Sequence, residues 1–558
     1  ILRALQTVRK NPYVNYIGLG LAGLVSQKDQ HDPVSGKPLR KTKLQLVRIS
    51  AAVCGIELCY AAETAFVSPI LLKLGVPAAL MTMVWCLSPL LGFFLVPIMG
   101  SLSDRCRLRV GRRRPFIILM ALGIVLGLAL VPNGESLGRL LGDSRNATRL
   151  GHPDTAALAG STEESIKQCG VGVAMLDFNC DACQSPSRAY LLDVSVPEDH
   201  QTGLTTFTVM AGLGGTVGYL MGGIDWNSTS FGEALGGHIR VVFTVVLVCF
   251  IICIISTLTS FRETPLDELD IPCEAVVSKI KKRKGKGRKY RRFTNEETSS
   301  EEEEEDCKEA EESIQMVDVS TDVTLRTYLK SIVRMPSSLW VLCLSNLFCW
   351  MSLLCYSLYF TDFVGQSVLG GDPAAPIGSD LHNRYDVGVR LGSWGMSLYS
   401  LSCSCYSLII ERLVHRFRAK PVYVCGQLTY SVGMIGMALS RSRWAVLLLS
   451  PTAGIMYATL FTMPYMLVAH YHTRGLFSRS STAPGPSDVT SDPSSSQVRG
   501  LGTDVAIVSS MVFLAQFLLS VAMGTIMAAV GSTVTVLIVS SVLSFCGAIT
   551  ALKVTYLD

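Results

Sequence analysis

Polar side chains stand at a few positions inside otherwise apolar stretches of this chain, and there they can do chemistry that a surface charge cannot. In the stretch 168–192, Asp177, Asp181, Gln184 and Arg188 fall within roughly 40° of one another on a helix turning about 100° per residue. One face then carries two carboxylates, an amide and a guanidinium. Charges in such surroundings are costly, and each is a functional-site hypothesis by default. Asp177 lies near the middle of the stretch and is expected to take and release a proton, with Arg188 drawing near in one state and receding in another. The alternative is an ion pair that only holds this helix against its neighbours, and Pro186 could kink the helix and turn Arg188 off the face.

Glu57 and Glu63 form a second acidic set in the stretch 46–67. Six residues apart, they point about 120° from each other and cannot line one narrow stripe. One is expected to face a central cavity and the other to pair with a neighbouring helix, in either order. Either could be a second proton site or could hold a cationic substrate. Asp386 and Arg390, four apart, make a same-face pair. Asn346 and Trp350 lie deep in 338–360 and offer an amide and a flat apolar face, which sugars require. Tyr359 and Phe360, near the end of that stretch, read as an interfacial aromatic belt.

The elements that must position these groups are set by hydrophobicity. Of 558 residues, 49% are hydrophobic and 17% charged, whereas ordinary soluble domains carry about a quarter charged. The apolar residues come in blocks, and about 20 in a row suffice to cross a bilayer core. Twelve blocks are countable: 46–67, 80–102, 116–132, 168–192, 204–224, 239–260, 338–360, 392–410, 421–440, 444–468, 504–528 and 532–553. Backbone amides in lipid must bond within their own segment, so the blocks are expected to be helices; barrel strands would be about half as long. The expectation is an all-α membrane protein with twelve transmembrane helices.

Arg105, Arg107, Arg109, Arg112, Arg113 and Arg114 crowd the loop after the second block, and Arg412, Arg416, Arg418 and Lys420 the loop after the eighth. Lys and Arg mark cytoplasmic loops, so both loops and both chain ends are expected inside. The acceptor triplets at Asn146 and Asn227 then fall outside and are expected to be glycosylated. Most of the 18 cysteines lie in apolar blocks, where a thiol behaves as a small hydrophobe; neither a structural disulfide nor a metal site is expected. Gly214, Gly218 and Gly222 have the spacing that lets helices approach closely.

Residues 1–45 read as an N-terminal tail, 46–260 as one six-helix bundle and 338–558 as a second. Between them, 261–337 holds ten Lys and Arg within Lys279–Arg292 and the acidic Glu301–Asp306. Such blocks cannot build a core, so a disordered linker is expected, its basic part able to rest on anionic lipid. A Ser/Pro-rich loop near 472–499 is expected to be disordered too. Two equivalent halves around a site at the membrane midplane is the architecture of an alternating-access transporter.

The loop Gly100-Ser101-Leu102-Ser103-Asp104-Arg105 followed by Gly111-Arg112-Arg113-Arg114-Pro115 resembles the major facilitator loop signature. In this longer form it resembles the plant sucrose transporters and their animal relatives, the proton-associated sugar transporters of solute carrier family 45. Further matches are Leu176-Asp177, Ser185 to Leu191, Gly222 to Trp226, Tyr359 to Gly365 and Tyr385 to Gly392. The resemblance spans nearly all of 46–555 outside the linkers. It implies a major facilitator fold, a proton-linked Asp177 and a substrate-linked Arg188, with Asp181 departing from the plant pattern. It also implies that Arg390 serves substrate or gate at the outer mouth, with Asp362 as its candidate partner. The loop Asp104, Arg105, Arg112, Arg113 and Arg114 reads as a cytoplasmic gate latch.

The resulting expectation is a proton-coupled sugar symporter, taking sucrose or a hexose such as glucose. Its proton-coupling residues would be Asp177, Asp181, Glu57 and Glu63. Its substrate-binding residues would be Gln184, Arg188, Asn346, Trp350, Asp362, Asp386 and Arg390. It would need no cofactor beyond the coupling proton, no nucleic acid and no second subunit. It would sit in the plasma membrane or an acidic vesicle. The surplus of intramembrane acids keeps open an organic cation such as a polyamine as substrate, and a non-transporting sensor is the third reading. No HExxH or nucleophile-elbow pattern points to an enzyme.

Overall fold

A computed structural model describes residues 40–73, 78–141, 163–263, 337–473 and 501–556, apart from isolated positions in turns. The expected linker beyond 263, the loop near 472–499 from residue 474 onward, the tail before residue 40, and both acceptor asparagines lie outside the described residues.

Among the described residues twelve helices have 18 residues or more. They are α1 (Ala51–Lys73), α2 (Ala78–Asp104), α3 (Arg114–Leu141), α4 (Glu163–Val194), α5 (His200–Gly223) and α6 (His238–Leu258), then α7 (Ser337–Phe363), α8 (Asp380–Phe417), α9 (Ala419–Ser440), α10 (Arg443–Thr473), α11 (Leu501–Val530) and α12 (Val534–Ala551). Eight are long and apolar enough to cross a membrane, and a ninth span arises if the bent pair Lys43–Ile49 and Ala51–Val67 is one. α4 and α8 are not among them: α4 carries the acids and the arginine, and α8 begins and ends in charge. At 38 residues α8 extends from Asp380, well before the apolar block at 392. Its length of about 57 Å exceeds a bilayer core of about 30 Å. Ser379 caps its start by accepting from the His382 amide.

Each half packs within itself, α3 along α4 and α7 along α12, and two antiparallel seams join the halves. In one, α5 lies on α8: Thr202 donates to Glu411 at 3.0 Å, and Ser404 donates to the Val209 carbonyl at 3.0 Å. In the other, α2 lies on α11, from Asp104 against Thr503 to Gly92 under the Phe513 ring. The loop of arginines and the end of α8 share one side of the molecule, the basic face.

Glycine makes both sides of α5 possible. A Cβ on Gly214 would overlap the Cys54 carbonyl of α1, and one on Gly218 would overlap Ala61. Gly212 and Gly215 instead face Ser400 and Ser404 of α8. The 214–218–222 spacing is thus a packing stripe, with a second stripe beside it at the seam.

Three expectations change. Phe261 and Glu263, assigned to the linker, are buried, because Tyr190 donates to the Phe261 carbonyl and Glu263 accepts from Arg113. Residues 40 and 41, assigned to the tail, are tied to the bundle: Arg40 and the Lys41 amide bind Asp199 at 2.8 and 2.9 Å, and Lys41 stands over the Phe261 ring. Phe360 is fully buried against Tyr356 rather than part of an interfacial belt.

Gly214→Ala should lower stability by about 1–3 kcal/mol through overpacking, read as a fall in the melting temperature of the detergent-solubilised protein. Gly170→Ala, inside α4 where a Cβ meets open space, should not lower stability and should raise it by up to about 1 kcal/mol through helix propensity.

Candidate functional site

α4 supplies the centre. Pro186 interrupts its hydrogen-bond ladder, yet the helix runs unbroken from Glu163 to Val194, and the Ser187 hydroxyl donates to the Cys183 carbonyl at 2.8 Å. The face is kept, so Asp177, Asp181, Gln184 and Arg188 follow one another along it. Arg188 is 1% exposed. Its Nη2 donates to Gln184 Oε1 at 3.0 Å. Its guanidinium lies 4.3 Å from the Phe461 ring, 4.1 Å from Tyr465 and 5.1 Å from Phe207. Such stacking suits a guanidinium, which is less strongly hydrated than an ammonium.

Gln184 in turn donates to Glu57 Oε1 at 3.4 Å, and the Tyr457 hydroxyl donates to the same oxygen at 2.8 Å. Tyr457 packs against Phe461, Tyr399 and Trp350. Glu57, Gln184 and Arg188 of the first half therefore meet an aromatic wall from α7, α8 and α10 of the second. The Trp350 indole N–H and Arg188 Nε are buried with no hydrogen-bond partner among the described residues. Flat rings beside free donors are what a polyhydroxylated ligand can use.

Asp177 is buried, and Gln516 of α11 donates to its Oδ2 at 3.4 Å. Asp181 is half-buried between Asp177 and Gln184. The expected approach of Asp177 and Arg188 is not seen: eleven residues along a helix place them about 16 Å apart in axial rise, and Arg188 bonds Gln184 instead. Of the two glutamates, Glu57 faces the meeting of the halves. Glu63 is fully buried, and neither of its oxygens has a partner among the described residues, so the expected pairing with a neighbouring helix is absent.

Asn346 is buried against α11, its Nδ2 donating to the Val508 carbonyl at 2.9 Å; it ties α7 to α11. Asp362 accepts from the Tyr385 hydroxyl at the end of the molecule opposite the basic face. Arg390 is exposed there, and the Asp386 side chain lies outside those described. Asp362 and Arg390 are not brought to the centre.

The latch at the basic face is built around Arg113, which is 2% exposed. It donates to Asp104, to Asp193 at 2.8 Å and to Ser103 at 2.8 Å. Its backbone N–H donates to the Glu263 carboxylate. Arg112 reaches Asp193 at 3.3 Å, and Arg114 reaches the Tyr190 hydroxyl at 3.3 Å; Arg105 lies outside the described residues. The second oxygen of Asp104 accepts from Thr503 N at 2.8 Å and Thr503 Oγ1 at 2.7 Å, at the first turn of α11. A carboxylate at a helix N-terminus meets free amides and the positive end of the dipole, so this one residue joins the two halves. Gly111 sits at φ 124° with the Glu263 carboxylate where a Cβ would be, which only glycine accommodates.

Sequence reasoning missed Tyr457, Phe461, Tyr465, Phe207, Gln516, Asp193, Glu263 and Thr503. The aromatic trio at i, i+4 and i+8 on α10 was visible as one helical face, but such a stripe reads as packing until the arginine beneath it is seen.

Two packed helical halves, a latch at a helix terminus and a polar centre where the halves meet define a major facilitator transporter, a multi-pass integral membrane protein. Comparisons with known proteins agree. The family described as MFS/sugar transport protein matches residues 50–139. The mouse Membrane-associated transporter protein is 34% identical over 94% of this chain and 95% of its own length. Mouse Solute carrier family 45 member 3 is 32% identical over 78% of this chain and 71% of its own length. Rat Proton-associated sugar transporter A is 29% identical, covering 90% and 85%. The fold matches the proton:xylose symporter XylE bound to 6-bromo-6-deoxy-D-glucose with a TM-score of 0.54 at 13% identity, over 92% of this chain and 96% of that one. The chain belongs to solute carrier family 45, the proton-associated sugar transporter family.

Removing the Asp104 carboxylate should cost about 3 kcal/mol or more, because it strands part of the buried Arg113. Asp104→Ala should therefore melt well below wild type, with Asp104→Asn between them. Burial, helped by the nearby Asp193 carboxylate, holds Glu263 above its ordinary value of 4.5 despite Arg113 and Arg112. A group raised in the fold contributes most at low pH and loses that contribution as pH rises through its folded value. The melting temperature of wild type relative to Glu263→Gln should accordingly rise as pH is lowered from neutral.

Proposed function

We propose that this chain is a proton-coupled sugar symporter working by alternating access. The observation that carries this is the centre itself: Arg188, Gln184 and Glu57 of one half face Trp350, Tyr457, Phe461 and Tyr465 of the other. Aromatic faces stack on the apolar faces of a pyranose, while amide, guanidinium and indole N–H groups bond its hydroxyls. Sucrose and glucose are the sugars put forward, and the name of the rat relative, a proton-associated sugar transporter, is in line with that.

Asp177 is the coupling acid in this proposal. It stands away from the Arg188 end and is touched by Gln516 of the opposite half, so its charge state bears on how the halves meet. Asp181 and Glu57 fill the interval and can pass the effect to Gln184 and Arg188. The basic face is assigned to the cytoplasm, following the positive-inside rule, with both chain ends inside. Asn146 and Asn227 are then external glycosylation sites, and the membrane is plasma membrane or an acidic vesicle. Asp362 and Arg390 serve as outer-mouth contacts, and the protein acts as a monomer.

A second reading rests on a count of charges. Among the described residues, Glu57, Glu63, Asp177 and Asp181 of α1 and α4 outnumber the one buried arginine of α4, Arg188, an acid surplus suited to a polyamine or another organic cation.

The deciding experiment is uptake of labelled sucrose, glucose and a polyamine in cells lacking their own carriers, at acidic and neutral external pH, with a protonophore control. Sugar uptake should be stimulated by acid and lost with the protonophore. It should be abolished in Asp177→Asn and lowered at least tenfold in Arg188→Lys, which cannot reproduce a stacked guanidinium. Uptake of the polyamine alone would overturn the sugar reading in favour of the second. Uptake of none, with the protein at the surface, would favour the sensor.

A further inference from the structure

The mechanism above leaves one buried acid without an assignment. Glu63 is fully buried, and both of its oxygens lack a hydrogen-bond partner among the described residues. Its position follows from the register of α1 on α4. Gln184 meets Glu57, and in that antiparallel register six residues on along α1 and seven back along α4 set Glu63 level with Asp177, close enough for the two carboxyl groups to act on each other electrostatically. Glu63 thus stands one to two turns beyond Glu57, on the side away from the basic face.

The surroundings of Glu63 offer no counter-charge. From α4 it is faced by Asp177 and the Cys180 thiol, and from its own helix by the Cys59 thiol. The neighbouring Tyr60 hydroxyl is itself without a partner. On α5, Tyr219 is engaged with Thr64. Arg188, the cation of this region, is committed to Gln184 and the aromatic wall. Asp177 does have a donor, Gln516. Two carboxylates facing each other in a water-poor interior cannot both be ionised, and an ion with no donor is the costlier of the two.

We infer that Glu63 and Asp177 form a pair of carboxyl groups that holds one proton between them, seated on Glu63 while Gln516 bonds Asp177. This deepens the symport reading and rests on it for its purpose: the pair is the station where the coupling proton waits, set apart from the sugar end at Arg188. When the halves separate at α11, Gln516 leaves Asp177, and the proton is free to move to the oxygen that has lost its donor. The transfer breaks the O–H bond on Glu63 and forms one on Asp177, with the negative charge moving the opposite way. The pair thus titrates as a unit.

The test is infrared spectroscopy of the purified protein in lipid nanodiscs at neutral pH, with no solute present, reading the carbonyl stretch of protonated carboxyl groups. Wild type should show an absorption that Glu63→Gln lacks by one carboxyl group and that Asp177→Asn keeps. Glu63→Asp, which retains an acid, should restore it, and this arm separates loss of the proton from a general disturbance of the fold. An unchanged spectrum in Glu63→Gln would overturn the pair. So would loss of the band in Asp177→Asn with its retention in Glu63→Gln, which would place the proton on Asp177 alone. Because no transport is measured, absence of sugar uptake would sink the symport reading and leave this outcome untouched.

Discussion

A charge buried in a bilayer must be answered by a partner, and in this chain the answer comes from the other half of the molecule. Arg188 lies under Phe461 and Tyr465, Glu57 accepts from Tyr457, Asp177 from Gln516 and Asp104 from Thr503. The charges belong to helices of the first half, and the rings, hydroxyls, amide and helix terminus belong to the second. Pulling the halves apart therefore does more than expose surface: it leaves each of these groups short of a partner. Keeping them together demands that the charges stay as they are. In the proposed symport this ties the position of the bundles to protonation and to ligand, since either can supply what the opposite half withdraws.

The strength of these links suits a moving part. A neutral hydrogen bond contributes about 0.5–1.5 kcal/mol net, so a few of them can be exchanged within one transport cycle. The α5–α8 seam is closely packed, with Gly212 and Gly215 against Ser400 and Ser404. The α2–α11 seam is pinned at the basic face, where Asp104 takes two bonds from Thr503 and shares Arg113 with Asp193. Arg113 is anchored within its own half by Asp193, Ser103 and Glu263. The latch can therefore release Thr503 without stranding the arginine.

Much of this was legible in the sequence, for reasons that differ by residue. The twelve helices follow from hydrophobic blocks, whose ends were uncertain where charge intrudes; α8 begins twelve residues before its apolar block for that reason. The α4 face could be read because 3.6-residue periodicity puts Asp177, Asp181, Gln184 and Arg188 in line. What periodicity does not give is distance along the helix, and so Asp177 and Arg188 were brought together when their axial separation forbids it. Partners in the second half were not legible. Tyr457, Phe461 and Gln516 look like ordinary residues of apolar helices, and only the meeting of the halves sets them against a charge. Asp193 and Glu263 were hidden differently, each near a helix end where an acid reads as solvated.

The helix that carries the chemistry is also the helix that fails a plain hydropathy criterion, and the conflict has a physical resolution. α4 could not be held in lipid by its own composition, so it is enclosed by α3 on one side and reached by α1, α2 and α11. Enclosure removes water from Asp177 and Arg188, which makes each unmatched charge more expensive and each matched one more sensitive to its partner. A surface helix with the same residues would tolerate every combination of protonation and position. Buried at the contact of two halves, it tolerates few. That restriction is what the proposed symport needs, because coupling consists in excluding the states in which the halves move with the wrong charges in place.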